Sequence, residues 1–175
     1  AGNLCRCTSY RPIVEAMEKV AGLHRDGALP KYHSTAFDKQ AAATPLSVNA
    51  EAPAHGRKAV LYATCFTNYN DPGVGMDARA LLARNGVQTE VVYPACCGMP
   101  MLEQGDIAGV AENARKVAAE LGAWIDKGYD IIALVPSCSL MLKFEWKLIL
   151  PDDPAVAKLA QATFDISEYV VDIAK

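Results

Sequence analysis

The sequence contains no apolar run long enough to cross a bilayer, so no membrane-spanning helix is expected in it. It contains no block of like charge, and its formal net charge is only -3. Neither a charged interaction tail nor a nucleic-acid surface follows from that balance. The N-terminus lacks a basic flank followed by an apolar stretch, so no signal peptide is read there. Internal repeats and low-complexity tracts are absent. The six cysteines are too few for a disulfide scaffold in a chain of 175 residues. The chain opens at Ala1 rather than Met, which reads as a processed chain or a fragment.

What is present is an ordinary globular composition, 51% hydrophobic and 21% charged, and a length that suits one domain with a sizeable core. Against that background three apolar runs each end in cysteine. They are Lys58-Ala-Val-Leu-Tyr-Ala-Thr-Cys65, Val91-Val-Tyr-Pro-Ala-Cys96-Cys97-Gly98 and Asp130-Ile-Ile-Ala-Leu-Val-Pro-Ser-Cys138. Each run reads as a buried β-strand. If the strands are parallel neighbours, four thiols meet at one edge of one sheet, where open α/β sheets place their binding sites.

The text between the runs supports that arrangement. Strands are expected at 58–64, 87–93 and 130–135. Asp71-Pro72 is a helix-start signal, with proline at the first helical position, and Gly86 ends that helix. Asp106 caps a second helix, whose Ile107, Val110, Ala114, Val117, Leu121 and Ile125 keep the helical period up to Gly128. Leu140 to Leu150 reads as helical, and short helices follow at 155–162 and 166–174. Strand–helix alternation at this spacing implies right-handed crossovers and a Rossmann-like parallel sheet with helices on both faces. Residues 1–57 look different. Arg11 to Leu23 fits one amphipathic helix, and His24 to Gly56 reads as an irregular arm. The expected division is therefore an N-terminal helix and connector over 1–57 and an α/β domain over 58–175.

Cys65, Cys96, Cys97 and Cys138 are the candidate metal ligands. Thiolate is a soft donor suited to iron–sulfur clusters and to zinc. Clustering at strand ends favours ligand chemistry in a reducing compartment over structural disulfides. Gly98 permits a sharp backbone path beside the site, with its N–H free to bond to sulfur. Cys5-Arg6-Cys7 reads equally as incidental thiols and as extra ligands. His24, His33 and His55 have no ligand spacing. Gly73-Val-Gly75-Met-Asp-Ala78 resembles a dinucleotide fingerprint only loosely, because Cys65 to Pro72 separate it from its strand. Met99, Met101, Met141, Phe144 and Trp146 are expected to pack the site and exclude water. Lys143 and Lys147 read either as balancing charge at the site or as a helix surface.

Tyr93-Pro-Ala-Cys-Cys-Gly-Met-Pro100 resembles the signature of the cysteine-rich CCG domain of iron–sulfur oxidoreductases. That domain occurs in the B-type subunit of heterodisulfide reductase, in glycolate oxidase iron–sulfur subunits and in lactate-utilisation proteins. Pro136-Ser-Cys-Ser-Leu-Met-Leu-Lys-Phe-Glu-Trp146, Leu150-Pro-Asp-Asp-Pro154 and Phe164-Asp-Ile-Ser-Glu-Tyr-Val-Val-Asp172 resemble the C-type subunit of anaerobic glycerol-3-phosphate dehydrogenase. The resemblance implies an iron–sulfur electron-transfer module, with a [4Fe–4S] cluster as cofactor. It implies a flavoprotein dehydrogenase subunit and further Fe–S domains as partners, and a quinone or similar acceptor. It implies a cytoplasmic location, extended to a peripheral position on the inner face of the membrane. In such a complex the substrate is oxidised elsewhere, and no residue here is assigned acid, base or nucleophile work.

One departure matters. The family pattern ends in Cys-x-x-Cys, whereas this chain has Cys138-Ser-Leu-Met141. A five-cysteine ligand set does not carry over, and four thiolates remain. Two other readings use the same residues: a zinc-stabilised structural or partner-binding domain, and a redox protein that forms a vicinal Cys96–Cys97 disulfide.

Overall fold

The structure is a computed structural model that describes residues 36–173, all within the unit Thr35–Lys175. The expected helix at Arg11 to Leu23, and Cys5, Cys7, His24 and His33, lie outside the described residues.

Four parallel strands form one sheet. They are β1 (Lys58–Tyr62), β2 (Gln88–Val92), β3 (Asp130–Ala133) and β4 (Thr163–Asp165), in the order β2-β1-β3-β4. The register runs Lys58 to Gln88 through Tyr62 to Val92, Ala59 to Asp130 through Tyr62 to Ala133, and Ile131 to Thr163 through Ala133 to Asp165. The first three strands lie inside the ranges expected from the apolar runs. Strand β4 was not expected, because three residues between two helices are too short to show a period.

Side chains along a strand alternate between faces, and both faces are buried. Ala59, Leu61, Ala63, Ile132 and Leu134 pack with Phe37, Ala78, Leu82, Tyr169 and Ile173. These come from α1 (Phe37–Ala43), α2 (Pro72–Arg84) and α8 (Ile166–Ile173). Val60, Tyr62, Ile131 and Ala133 pack with Val110, Ala114, Val117, Leu121, Trp146, Val156 and Leu159. These come from α4 (Ile107–Ile125), α6 (Trp146–Ile149) and α7 (Pro154–Ala162). The doubly covered parallel sheet matches the fold class expected from the sequence.

Local signals explain the helix ends. Helix α2 begins with Pro72 at its first turn. The Asp106 carboxylate accepts from Gly109 N–H at 2.9 Å at the start of α4. Asp153 does the same for Ala155 and Val156, at 2.9 and 3.2 Å, at the start of α7.

The irregular arm needs correction. Residues 37–43 are helical, and Phe37 is fully buried against the sheet. A Cβ at Gly75 would sit 2.7 Å from the Phe37 ring. The glycine that resembled a dinucleotide fingerprint therefore lies where α1 and α2 approach closely. Arg79 secures the end of α1 by donating to the carbonyls of Ala41 and Thr44, both at 3.1 Å.

At the N-terminal edge of the sheet, the Arg57 guanidinium meets Asp172 at 2.8 Å and Asp130 at 3.3 Å. Tyr169 Oη donates to the same Asp130 carboxylate at 3.0 Å. The network ties the starts of β1 and β3 to α8, at the edge opposite the cysteines. Helix α5 (Pro136–Leu140) begins earlier than expected, and the chain continues through a π-helical turn at Met141–Glu145 into α6.

Urea unfolding checks this packing. Leu121→Ala is expected to lower stability by about 2–5 kcal/mol, because it opens a cavity in a fully buried site. Asp153→Ala is expected to cost only about 1 kcal/mol, the usual effect of losing a helix cap.

Candidate metal centre

All four thiols lie beyond the C-terminal ends of three adjacent strands. Cys65 opens the π-helical turn Phe66–Asn70 that follows β1. Cys96 and Cys97 lie in the loop between β2 and α3 (Met99–Glu103). Cys138 lies in the first turn of α5, not at the strand end itself, since Pro136 starts that helix. The order β2-β1-β3 makes β1 the middle strand and brings the three connections side by side. The crevice between β1 and β3, where successive crossovers leave in opposite directions, is the usual site position in such sheets.

The sulfurs form two close pairs. Cys65 Sγ lies 3.8 Å from Cys96 Sγ, and Cys97 Sγ lies 3.3 Å from Cys138 Sγ. Cys97 and Cys138 are buried, 2% and 5% exposed, while Cys65 and Cys96 are half-buried. All four are free thiols. Each cysteine of the 96–97 doublet thus has a partner on a different connection.

The backbone around the doublet is held from below. Tyr62 Oη donates to Ala95 O at 2.6 Å, and Trp146 Nε1 donates to Cys97 O at 3.1 Å. Gly98 adopts φ 84, and its N–H donates to Cys96 Sγ at 3.5 Å. The left-handed turn is the reason glycine occupies that position. Asn68 Oδ1 accepts from Asp38 N–H at 2.9 Å, linking the turn after Cys65 to α1. Cys65 leads directly into the π-helical segment 66–70, and Cys138 leads through α5 into the segment 141–145, a geometry that recurs at functional sites.

Burial and mutual contact set the thiol acidities. The Cys97 and Cys138 thiols interact directly, so the acidity of each depends on the other. Hydrogen bonding from Cys138, with the Met99 N–H, holds Cys97 down to about 7 against the opposing effect of burial. Cys138, left as the protonated partner and buried, is pushed up. Burial also pushes Cys96 up to about 11. Tyr62 is raised by burial and by the neighbouring sulfurs, so its hydroxyl stays protonated as a donor.

The neighbours singled out in the sequence divide between the site and the surface. Met141, at the position of the missing cysteine, is fully buried in the same cluster as Cys97 and Cys138. Trp146 closes the site as expected, but Phe144 is 53% exposed and excludes no water from it. Lys143 pairs with Glu168, and Lys147 stands 5.6 Å over the Phe144 ring. His55 is exposed. The roles of Tyr62 and Asn68 were missed. A buried tyrosine needs a partner for its hydroxyl, which is the one signal the sequence offered.

Four soft donors on a half-covered edge suit an iron–sulfur cluster or a zinc ion. A single tetrahedral zinc needs its sulfurs gathered around one point, and among the described residues no three Cys, His, Asp or Glu side chains are grouped in that way. A four-iron cluster needs its thiolates farther apart than the 3.3 and 3.8 Å of the two pairs. Either occupant therefore requires the thiols to move from their metal-free positions.

Residues 59–143, which include all four cysteines, match the cysteine-rich CCG domain. Over 123 residues the chain is 31% identical to lactate utilization protein A of Shouchella clausii (strain KSM-K16), covering 66% of this chain and 48% of that protein. Over 151 residues it is 24% identical to the C-type subunit of anaerobic glycerol-3-phosphate dehydrogenase of Escherichia coli (strain K12), covering 83% and 36%. Lactate utilization protein A of Bacillus cytotoxicus is 26% identical over 125 residues, covering 67% and 49%. The chain thus spans about half or less of the length of these curated relatives. No solved structure matches it. No helix among the described residues is long and apolar enough to cross a membrane.

Two measurements check the site. Thiolate ultraviolet absorbance of the metal-free protein, titrated anaerobically, is expected to show a step near pH 7 that is lost in Cys97→Ser. Gly98→Ala is expected to lower stability by about 1–2 kcal/mol in urea unfolding, the cost of a left-handed residue with a side chain.

Proposed function

Residues 59–143 belong to the cysteine-rich CCG domain family, and from that premise we propose that the chain is an iron–sulfur electron-transfer module of an oxidoreductase complex. The observation that carries this reading is the convergence of Cys65, Cys96, Cys97 and Cys138 from three parallel strands on one edge. Those four residues hold the cluster, with Gly98 N–H bonding to the Cys96 sulfur. The cluster, a [4Fe–4S] centre in this reading, supplies reversible one-electron transfer when bound. The protein's own work is to position and shield it. Tyr62 and Trp146 fix the backbone at residues 95–97, and Met141 with Trp146 keeps water from the inner side. A zinc ion held by the same four thiolates is the alternative occupant.

The partners follow from the same reading. The relatives carry the names of a lactate utilization protein and of a dehydrogenase subunit, which supports placement within a larger assembly. Electrons enter from a flavoprotein dehydrogenase subunit, pass through further Fe–S domains and leave toward a quinone or similar acceptor. Phe66, Tyr69, Leu140 and Phe144 are 42–56% exposed beside the thiol-bearing turns, an apolar rim that suits a protein contact. Residues 58–175 form the redox domain, and 1–57 form the connector, whose helix α1 packs on it. The working location is cytoplasmic, at the inner membrane face when the acceptor is a quinone.

Anaerobically purified protein is expected to be brown, with broad visible absorption from thiolate-to-iron charge transfer. Cys97→Ser is expected to remove that absorption while circular dichroism of the sheet and helices stays unchanged. An unchanged visible spectrum in the variant removes Cys97 from the ligand set.

A further inference from the structure

The pairing of the four sulfurs has a chemical consequence separate from metal binding. A disulfide needs its sulfurs about 2.05 Å apart. Cys97 and Cys138 stand 3.3 Å apart, and Cys65 and Cys96 3.8 Å. Closing those gaps requires shifts of about 1.3 and about 1.8 Å, relative to that bond length. Such shifts are small enough for side-chain rotation. The partners sit on different connections, 97 after β2 with 138 after β3, and 65 after β1 with 96 after β2. The two bonds would therefore lace all three connections together.

We propose that the metal-free domain closes two disulfides, Cys97–Cys138 and Cys65–Cys96, and that this oxidised form refuses a cluster until a thiol reductant opens it. The inference rests on the cluster reading only for its second half, the block to loading. The oxidant class is a peroxide, small enough to reach the buried pair. One sulfur takes an oxygen from the peroxide, giving a sulfenic acid and one water. The second sulfur then attacks the first. The S–S bond forms, the S–O bond breaks, and the hydroxyl leaves as a second water with the proton of the second thiol. Two electrons pass from the two thiols to one peroxide for each bond made. With a second thiol at 3.3 Å, the sulfenic acid at Cys97 or Cys138 condenses before it is oxidised further. A dithiol reductant reverses the step by exchange.

The pairing differs from a vicinal Cys96–Cys97 bond. Cys97 faces Cys138 within S–H to S reach, and Cys96 faces Cys65 in the same way. The bond at 97–138 would also hold the carbonyl that Trp146 binds, so the core beneath the edge need not move.

The test uses the full chain. Iron is removed by chelation under anaerobic conditions, retained folding is checked by circular dichroism, and hydrogen peroxide is added in slight excess. Non-reducing peptide mapping is expected to find Cys97–Cys138 and Cys65–Cys96 linked peptides, each two hydrogens lighter and each restored by dithiothreitol. In Cys138→Ser, a sulfenic-acid-specific probe is expected to tag Cys97. A Cys96–Cys97 link, scrambled links or the absence of either expected link overturns the proposal. Loading is tested with iron and sulfide. The oxidised protein is expected to bind none until dithiothreitol is added. Equal loading with and without prior reduction overturns the block. A reduced protein that never loads instead contradicts the cluster reading, while the peptide map still decides the pairing.

Discussion

The parallel direction of the sheet is the constraint on which everything else rests. Four strands that run the same way finish at one edge, and every crossover must depart from that edge. Residues just beyond β1, β2 and β3 are therefore neighbours, although dozens of residues separate them in sequence. The crossovers that cover both faces of the sheet keep the strands parallel. The central strands β1 and β3 hide alternate residues under α1, α2 and α8 on one side and α4, α6 and α7 on the other. A one-residue slip would send each side chain into the opposite core, where its partners differ.

That arrangement brings four thiols together at a cost the site manages locally. Four thiolates within a few ångströms would repel one another, and burial already disfavours charge. In the metal-free edge Cys97 ionises more readily than Cys96 and Cys138, which hold their protons. A metal centre relieves the same repulsion with positive charge, and its binding must release those protons. The edge is thus suited to exchange protons for a soft cationic group, and less suited to exist with all sulfurs ionised and alone. Tyr62 and Trp146 keep the doublet in place in either state, because their hydrogen bonds go to backbone carbonyls and not to sulfur. At the far edge, Arg57, Asp130, Asp172 and Tyr169 balance charge where no cysteine lies.

Much of this was legible in the sequence, for reasons that can be named. The runs at 58 and 130 read as buried strands because they are almost continuously apolar, whereas β2 opens with Gln88, Thr89 and Glu90 and is only partly buried. Pro72 and Asp106 marked helix starts because proline and aspartate act there through local geometry alone. The shared thiol edge followed from parallel strands. Other features depended on tertiary contacts. The Phe37–Ala43 helix is short and sits among irregular text, and tertiary contacts define it: Phe37 beside Gly75, Arg79 at its end and Asn68 at its start. The β4 strand has three residues and is recruited by β3. Helix α5 begins at Pro136 and not at Leu140, which moves Cys138 off the strand and into a helical turn. Phe144 looked like a shield for the site and faces solvent instead. The division of the thiols into 65 with 96 and 97 with 138 had no sequence signal at all, since the doublet invited a vicinal pairing.

The central claim is that these four cysteines hold an iron–sulfur cluster. Metal and acid-labile sulfide analysis of anaerobically purified protein, read together with electron paramagnetic resonance after reduction, tests it most directly. Bound iron with matching sulfide and a paramagnetic signal that is lost in Cys138→Ser are expected. Colourless protein with stoichiometric zinc and no sulfide would contradict it.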